Sequence, residues 1–151
     1  MKICKATEDD LPEILALQYL AFQSEVKLFK NKKDLPLKQT LDELTDELNK
    51  GVILKLILDD DTIIGSVRAY TKDGTTHIGK LMVHPDYRKR GLGTGLMEKI
   101  ENCFLNTRYE LFTASKSVNN IEFYKKRGYE IFAKKRINEE LVLIYMQKPA
   151  K

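Results

Sequence analysis

The clearest chemistry in the chain lies in Leu81-Met-Val-His-Pro-Asp-Tyr-Arg-Lys-Arg-Gly-Leu-Gly-Thr-Gly-Leu-Met97. An apolar strand end (Leu81, Met82, Val83) runs into a basic, glycine-rich turn. That turn opens a helix expected from Thr94 to about Phe104. The first N–H groups of a helix have no intrahelical partner and carry a positive partial charge, so such an end binds phosphate. Gly91, Gly93 and Gly95 let the main chain approach that phosphate, because no Cβ intervenes. Arg88, Lys89 and Arg90 add charge beside it. The expected site binds a pyrophosphate on a strand–loop–helix unit. Spacing excludes two common phosphate loops. No Lys followed by Ser or Thr closes a G-x-x-x-x-G-K-[ST] loop, and Leu96 stands at the third glycine of G-x-G-x-x-G.

What does match is R-x-x-G-x-G. Arg88-Lys89-Arg90-Gly91-Leu92-Gly93, following an apolar strand and His-Pro-Asp-Tyr, resembles the pyrophosphate motif of the GNAT acetyltransferase superfamily. Downstream, Ser117, Asn120, Tyr124, Gly128 and Tyr129 match that family's S-x-x-N-x-x-x-Y-x-x-x-G-[FY] segment. Ser117 or Asn119 is suited to cap a helix running to about Arg127, and Gly128 to end it. The resemblance is specific between about Ile78 and Tyr129.

The resemblance implies acetyl-coenzyme A as co-substrate. It implies acetyl transfer to a primary amine of a small molecule or peptide, directly within a ternary complex. The thioester carbonyl falls to main-chain N–H groups around Met82 and Val83, beside Leu81. The pyrophosphate falls to those of Lys89, Arg90, Gly91, Leu92, Gly93 and Thr94, after Arg88. Tyr124 matches the tyrosine that protonates the departing sulfur, a role suited to a phenol of pKa ~10. Without the motif, Tyr124 reads as a packed helix aromatic. Counting back along the strand from Val83 puts His77 where some relatives carry a glutamate base. An imidazole of pKa ~6.5 suits that task, the alternative being a histidine at a strand start touching solvent. Phe112 and Thr113 occupy positions where other relatives carry an acid on the next strand, so no such route is expected. Asn120 is the better expected contact to the cofactor arm, with Ser117 as a second. The acceptor site is implied between Phe22 and Leu41, with Glu25 and Asp34 attracting an amine and Phe22, Phe29 and Tyr70 as apolar walls; each also reads as ordinary surface or core. The alternative reading is a non-catalytic module that holds an acyl-coenzyme A. Retention of Tyr124 and an intact glycine loop favours the enzyme.

Composition agrees with a cytoplasmic enzyme formed by a single domain over residues 1–151. Hydrophobic residues make 42% and charged ones 32%, ordinary values for a globular protein with a real core. A net charge of +4 suits an anionic cofactor but lacks the dense basic face of a nucleic-acid partner. The runs Lys30 to Lys33 and Lys134 to Arg136 read as solvated surface. Neither a membrane span nor an apolar leader is expected. Cys4 and Cys103 are too few and isolated for a disulfide framework, and with two histidines a metal site is not expected. Small relatives often pair through a sheet edge, which makes a homodimer an open expectation.

The elements that must hold these residues follow from patterning. Lys2 to Lys5 reads as a strand, then Asp9 caps a helix from Asp10 to about Gln23 with Leu11, Ile14, Leu15, Leu17 and Leu20 as its apolar stripe. A polar, lysine-rich stretch containing Pro36 follows. Thr40 with Glu43 forms a capping box for a helix over Leu41 to Lys50, ended by Gly51. Val52 to Leu58, Ile63 to Tyr70 and Thr76 to Val83 read as antiparallel strands turned at Asp59 to Asp61 and at Lys72 to Thr75. After the motif helix come a strand at Tyr109 to Thr113, the Tyr124 helix, and a hairpin of Ile131 to Lys135 with Glu140 to Met146. The expected class is α+β, with a mixed sheet of about seven strands in the order β-α-α-β-β-β-α-β-α-β-β. The resemblance adds that the strands flanking the motif helix run parallel and splay apart around the cofactor.

Overall fold

The computed structural model describes residues 1–29 and 39–151. Asp34, Pro36 and the run Lys30 to Lys33 lie outside the described residues. Seven strands form one mixed sheet: β1 (Lys2–Lys5), β2 (Val52–Ile57), β3 (Ile63–Lys72), β4 (Thr75–Val83), β5 (Arg108–Ala114), β6 (Glu130–Arg136) and β7 (Val142–Lys148). Their spatial order is β1-β2-β3-β4-β5-β7-β6. All neighbours are antiparallel except β4 and β5. The described helices are α1 (Leu11–Ala21), the single turn α2 (Gln23–Val26), α3 (Leu41–Lys50), α4 (Leu92–Asn102) and α5 (Val118–Lys126).

The expected fold class is thus observed, and the elements follow the expected order along the chain apart from one added helical turn, α2. Local chemistry explains the elements and the small departures from expectation. Thr40 Oγ1 accepts from Glu43 N–H at 3.2 Å, while Thr40 N–H donates to Glu43 Oε1 at 3.0 Å, closing the capping box of α3. The β3–β4 hairpin turns through Asp73 and Gly74, both with positive φ (52° and 77°), the backbone of a type I′ turn. Upstream of α1 the cap is Thr7, whose N–H donates to Asp10 Oδ2 at 2.8 Å, rather than Asp9, and a 3₁₀ turn precedes the helix. Phe22 breaks the expected first helix into α1 and α2. Leu20 is exposed and Gln18 buried, because α1 turns Gln18 rather than Leu20 toward a polar group on the sheet. β7 begins later than expected because the Asn138 side chain accepts from the N–H groups of Glu140 and Leu141, both at 2.9 Å, and holds a turn there.

One core lies on each face of the sheet. α1 and α3 cover Ile53, Ile57, Ile63 and Met82 with Leu11, Ile14, Leu17 and Leu44. On the other face Leu96, Met97 and Ile100 of α4 pack on Leu54, Val67, Tyr109 and Met146. Tyr109 is fully buried, and its hydroxyl donates to the carbonyls of Glu101 (2.9 Å) and Phe104 (2.8 Å). Glu101, 1% exposed, accepts from Tyr129 Oη at 2.7 Å and from Lys148 Nζ at 3.0 Å, tying α4 to β7.

Two features of β4 create the site. Ser66 pairs with Met82 and Arg68 with Gly79, so Val67 faces both Lys80 and Leu81; this is a β-bulge, with Lys80 at φ 52°. In addition, β4 pairs with β5 only through Thr75, Thr76 and His77. Beyond Glu110, β5 pairs with β7 alone, so the edge of β4 from Ile78 to Val83 that faces β5 has no ladder partner among the described residues.

Candidate active site

The gap between β4 and β5 opens into two cavities of about 850 and 820 Å³. Phe22, Glu25, Leu81, Asn120 and Tyr124 line both, so the two meet at these residues.

The smaller cavity brings together the residues expected to bind phosphate. It is lined by Leu81, Met82 and Val83, then by Arg88, Lys89, Gly91, Leu92, Gly93 and Thr94. α4 begins at Leu92, earlier than Thr94, because Gly91 takes φ 76° at the N-cap, a conformation glycine adopts without strain. Gly91 supplies no capping side chain, which leaves the N–H groups of Leu92, Gly93 and Thr94 without an intrahelical partner. A Cβ on Gly93 would lie 3.3 Å from the Phe123 ring, tighter than ordinary contact, so this glycine also lets the loop close onto α5.

The basic residues divide. The Arg88 guanidinium is held by main-chain carbonyls, Nη2 donating to Ala21 O at 2.5 Å and Nε to Val83 O at 3.3 Å, so it clamps the end of α1 to the end of β4. Arg90 lies over the Tyr87 ring (5.3 Å) and is not among the cavity's lining residues. Lys89 does line it. Sequence reasoning missed a further cation, Arg127, which lines the same cavity, lies 4.0 Å over the Phe123 ring and donates from Nε to Thr94 Oγ1 at 3.0 Å. The only sequence signal for it was its place at the end of the Tyr124 helix.

Ser117 stands at the N-cap of α5 but makes no side-chain cap; its Oγ donates to Glu25 Oε2 at 2.6 Å. Asn120 Nδ2 donates to Glu25 Oε1 at 2.8 Å. Glu25, carried by α2, therefore holds the two residues expected on the cofactor arm, a tie the sequence did not reveal. Tyr124 is half-buried between the cavities. Burial, and then the Glu25 carboxylate, push its phenol well above the usual value near 10, so it stays protonated.

The larger cavity reaches His77, Tyr70, Phe112, Phe29 and Gln39. His77 occupies the last paired position before the strands part, stacked on Tyr70 with ring centroids 5.0 Å apart. Its cross-strand neighbour is Glu110, whose Oε2 lies 3.6 Å from His77 Nδ1 while Oε1 accepts from Arg108 Nη2 at 2.7 Å. The sequence reading, which considered only Phe112 and Thr113 on the following strand, overlooked Glu110, which alternation along β5 turns to the same face as Phe112. Tyr124 lines both cavities and His77 only the larger one. Among the described residues no cluster of three or more His, Cys, Asp or Glu is placed to hold a metal ion, and no helix is long and apolar enough to cross a membrane.

Comparison with known proteins places this geometry. An uncharacterised N-acetyltransferase, YjcF of Bacillus subtilis (strain 168), is 25% identical over 115 residues, covering 76% of this chain and 79% of its own length. The S-(2-succino)cysteine N-acetyltransferase of the same organism is 31% identical over 80 residues, covering 50% of this chain and 48% of its own length. Among solved structures, the PaiA N-acetyltransferase of Thermoplasma acidophilum, in complex with coenzyme A, shares the fold with a TM-score of 0.81 at 15% identity, 98% of each chain being covered. The ribosomal-protein-S18-alanine N-acetyltransferase of Escherichia coli also gives a TM-score of 0.81 at 15% identity, over 99% of this chain and 94% of its own. The model of the acetyltransferase (GNAT) family matches residues 12–129. The chain therefore belongs to the acetyltransferase (GNAT) family of acyltransferase enzymes.

Proposed function

We propose that the chain forms a single-domain N-acetyltransferase that moves an acetyl group from acetyl-coenzyme A to a primary amine, directly within a ternary complex. The observation that carries this reading is the uncapped N-terminus of α4 facing the same cavity as the unpaired edge of β4. The residues present fit the co-substrate. The N–H groups of Leu92, Gly93 and Thr94, with Lys89 and Arg127 beside them, suit a pyrophosphate. The main chain of Leu81, Met82 and Val83 suits an extended chain laid where β5 would otherwise pair. The names of relatives reach from a cysteine derivative to an alanine of a ribosomal protein, so amine acceptors of very different size are used within the family.

In the proposed reaction the amine nitrogen forms a bond to the thioester carbonyl carbon, the carbon–sulfur bond breaks, and the proton lost by nitrogen replaces the one sulfur gains. Main-chain N–H groups near Met82 and Val83 meet the negative charge that builds on the carbonyl oxygen. Tyr124, its phenol held protonated, donates a hydrogen bond to the departing sulfur. Glu25, at the meeting of the cavities, draws the amine inward, and His77, backed by Glu110, takes the proton toward solvent.

Thermal melting with acetyl-coenzyme A, ATP and NAD tests the reading. A ligand at one hundred times its Kd adds about 2.7 kcal/mol, which raises the Tm of a chain this size by roughly 5–10 °C. The expected result is a rise with acetyl-coenzyme A alone, lost in Gly93→Val. No rise with any of the three would remove the co-substrate from the reading. A rise without acetyl transfer to any amine would leave only an acyl-coenzyme A-binding module.

A further inference from the structure

The larger cavity contains two cations whose donors the protein does not fully engage. Arg68, on β3, is 6% exposed. Its Nη2 donates to Gln18 Oε1 at 3.0 Å and Gln39 Oε1 at 2.7 Å, and its Nε meets Glu47 Oε2 at 2.5 Å. Its Nη1 is buried with no hydrogen-bond partner among the described residues. Buried donors are nearly always satisfied, so an unmet N–H on a cavity wall points to a ligand. Lys80, the residue of the bulge, lines the same cavity and makes no ion pair or hydrogen bond among the described residues. Burial and the nearby Arg68 hold the Lys80 ammonium below its usual pKa, against the opposing pull of the Glu47 carboxylate, which Arg68 and Lys80 share.

Of the other charged groups lining this cavity, Glu47 faces Arg68 Nε, although its Oε2 makes no hydrogen bond among the described residues, and it answers one of the two positive charges. Glu110 is bound to Arg108, and His77 faces it. Glu43 closes the cap of α3, and Glu25 is held by Ser117 and Asn120. Lys50 lies 4.3 Å over the Tyr70 ring. A guanidinium edge and an ammonium together suit a planar anion better than either does alone, the first by direction and the second by charge.

We propose that Arg68 Nη1 and Lys80 Nζ form a carboxylate subsite, and that the acceptor is an amine bearing a carboxylate, as in a free amino acid. The acid end lies on the wall formed by β3 and the β4 bulge, and the amine is directed toward Glu25 and Tyr124. This inference rests on the acetyltransferase reading above and extends it to the substrate class.

The test is coenzyme A release from acetyl-coenzyme A in the presence of free amino acids, each paired with the amine left when its α-carboxyl is removed. The acids are expected to exceed their paired amines by at least about tenfold in kcat/KM, close to the 1.4 kcal/mol that such a ratio represents. Lys80→Gln, which keeps a similar side-chain length, should shrink that ratio to about threefold or less, mainly through KM. Arg68→Gln should do the same where it folds; Lys80→Gln carries the test if it does not. Calorimetry with acetyl-coenzyme A on the same samples separates the two readings. A wild-type protein that fails to bind it overturns the acetyltransferase proposal. One that binds it but prefers the plain amines, uses no acid, or keeps its acid preference in Lys80→Gln overturns the carboxylate subsite alone.

Discussion

Tyr124 has one task in the proposed reaction, to meet the sulfur with a proton still on its oxygen. Its half-buried place beside Glu25 serves that task, since both burial and a neighbouring carboxylate disfavour the phenolate. Tyr124→Phe keeps the ring that packs edge-on to Tyr129 and Phe123 and removes only the hydroxyl. Turnover should fall about a hundredfold, the usual scale of a lost general acid, while acetyl-coenzyme A affinity stays within about threefold. Steady-state kinetics with calorimetry checks this, and equal losses in both would make the hydroxyl structural. At this scale the sequence was informative about residues that spacing within one segment brings together, as Ser117, Asn120 and Tyr124, which line one cavity. It was silent on Glu25, because Glu25 meets Ser117 and Asn120 across separations of 92 and 95 residues. Arg88 shows the opposite difficulty. Its place in a phosphate motif suggested a ligand contact, yet its guanidinium is held by two protein carbonyls.

Between elements, the readable signals were those that a few adjacent residues complete by themselves. Thr40 with Glu43, and Asp73 with Gly74, each close their own hydrogen bonds or turn, so both were legible. The bulge was not, since Lys80 takes the positive φ while the adjacent Gly79 does not, and no local rule favours lysine there. The tie of α4 to β7 was equally hidden, because Glu101 gave no sign of being enclosed by Tyr129 and Lys148. That tie has a consequence in alkali. Burial and Glu101 push the phenols of Tyr129 and Tyr109 above their usual value, as burial and Glu25 do for Tyr124. A group whose folded pKa is raised contributes stability that is full below its unfolded pKa, near 10, and lost as pH rises toward the folded value. The Tm should hold from about pH 8 to 9.5 and fall above about 10, and Tyr129→Phe should make the fall shallower. A Tm that holds to pH 11 would mean that these phenols ionise as readily in the fold as outside it.

Seen whole, the sheet is two antiparallel blocks, β1 to β4 and β5-β7-β6, joined through three parallel pairs from Thr75 to His77. Helix α4 lies across the join, touching β3 and β4 on one side and holding β5 through the Tyr109 hydroxyl and β7 through Glu101 on the other. A sheet that parts along much of a strand forgoes ladder bonds that a continuous one would make, and the buried contacts of α4 offset that loss. The bulge on the parted strand is a single surplus residue, and the parting is expected to depend on it. Removing Lys80 would set Leu81 alone opposite Val67 and leave Met82 opposite Ser66, so each remaining side chain would keep its face while the ladder became regular. Such a deletion should yield a protein that melts higher and no longer binds acetyl-coenzyme A, β4 having run on beside β5 and filled the gap. The room for catalysis is in this sense one surplus residue of chain length, and the shortest route to a sturdier but idle molecule is the loss of a single codon.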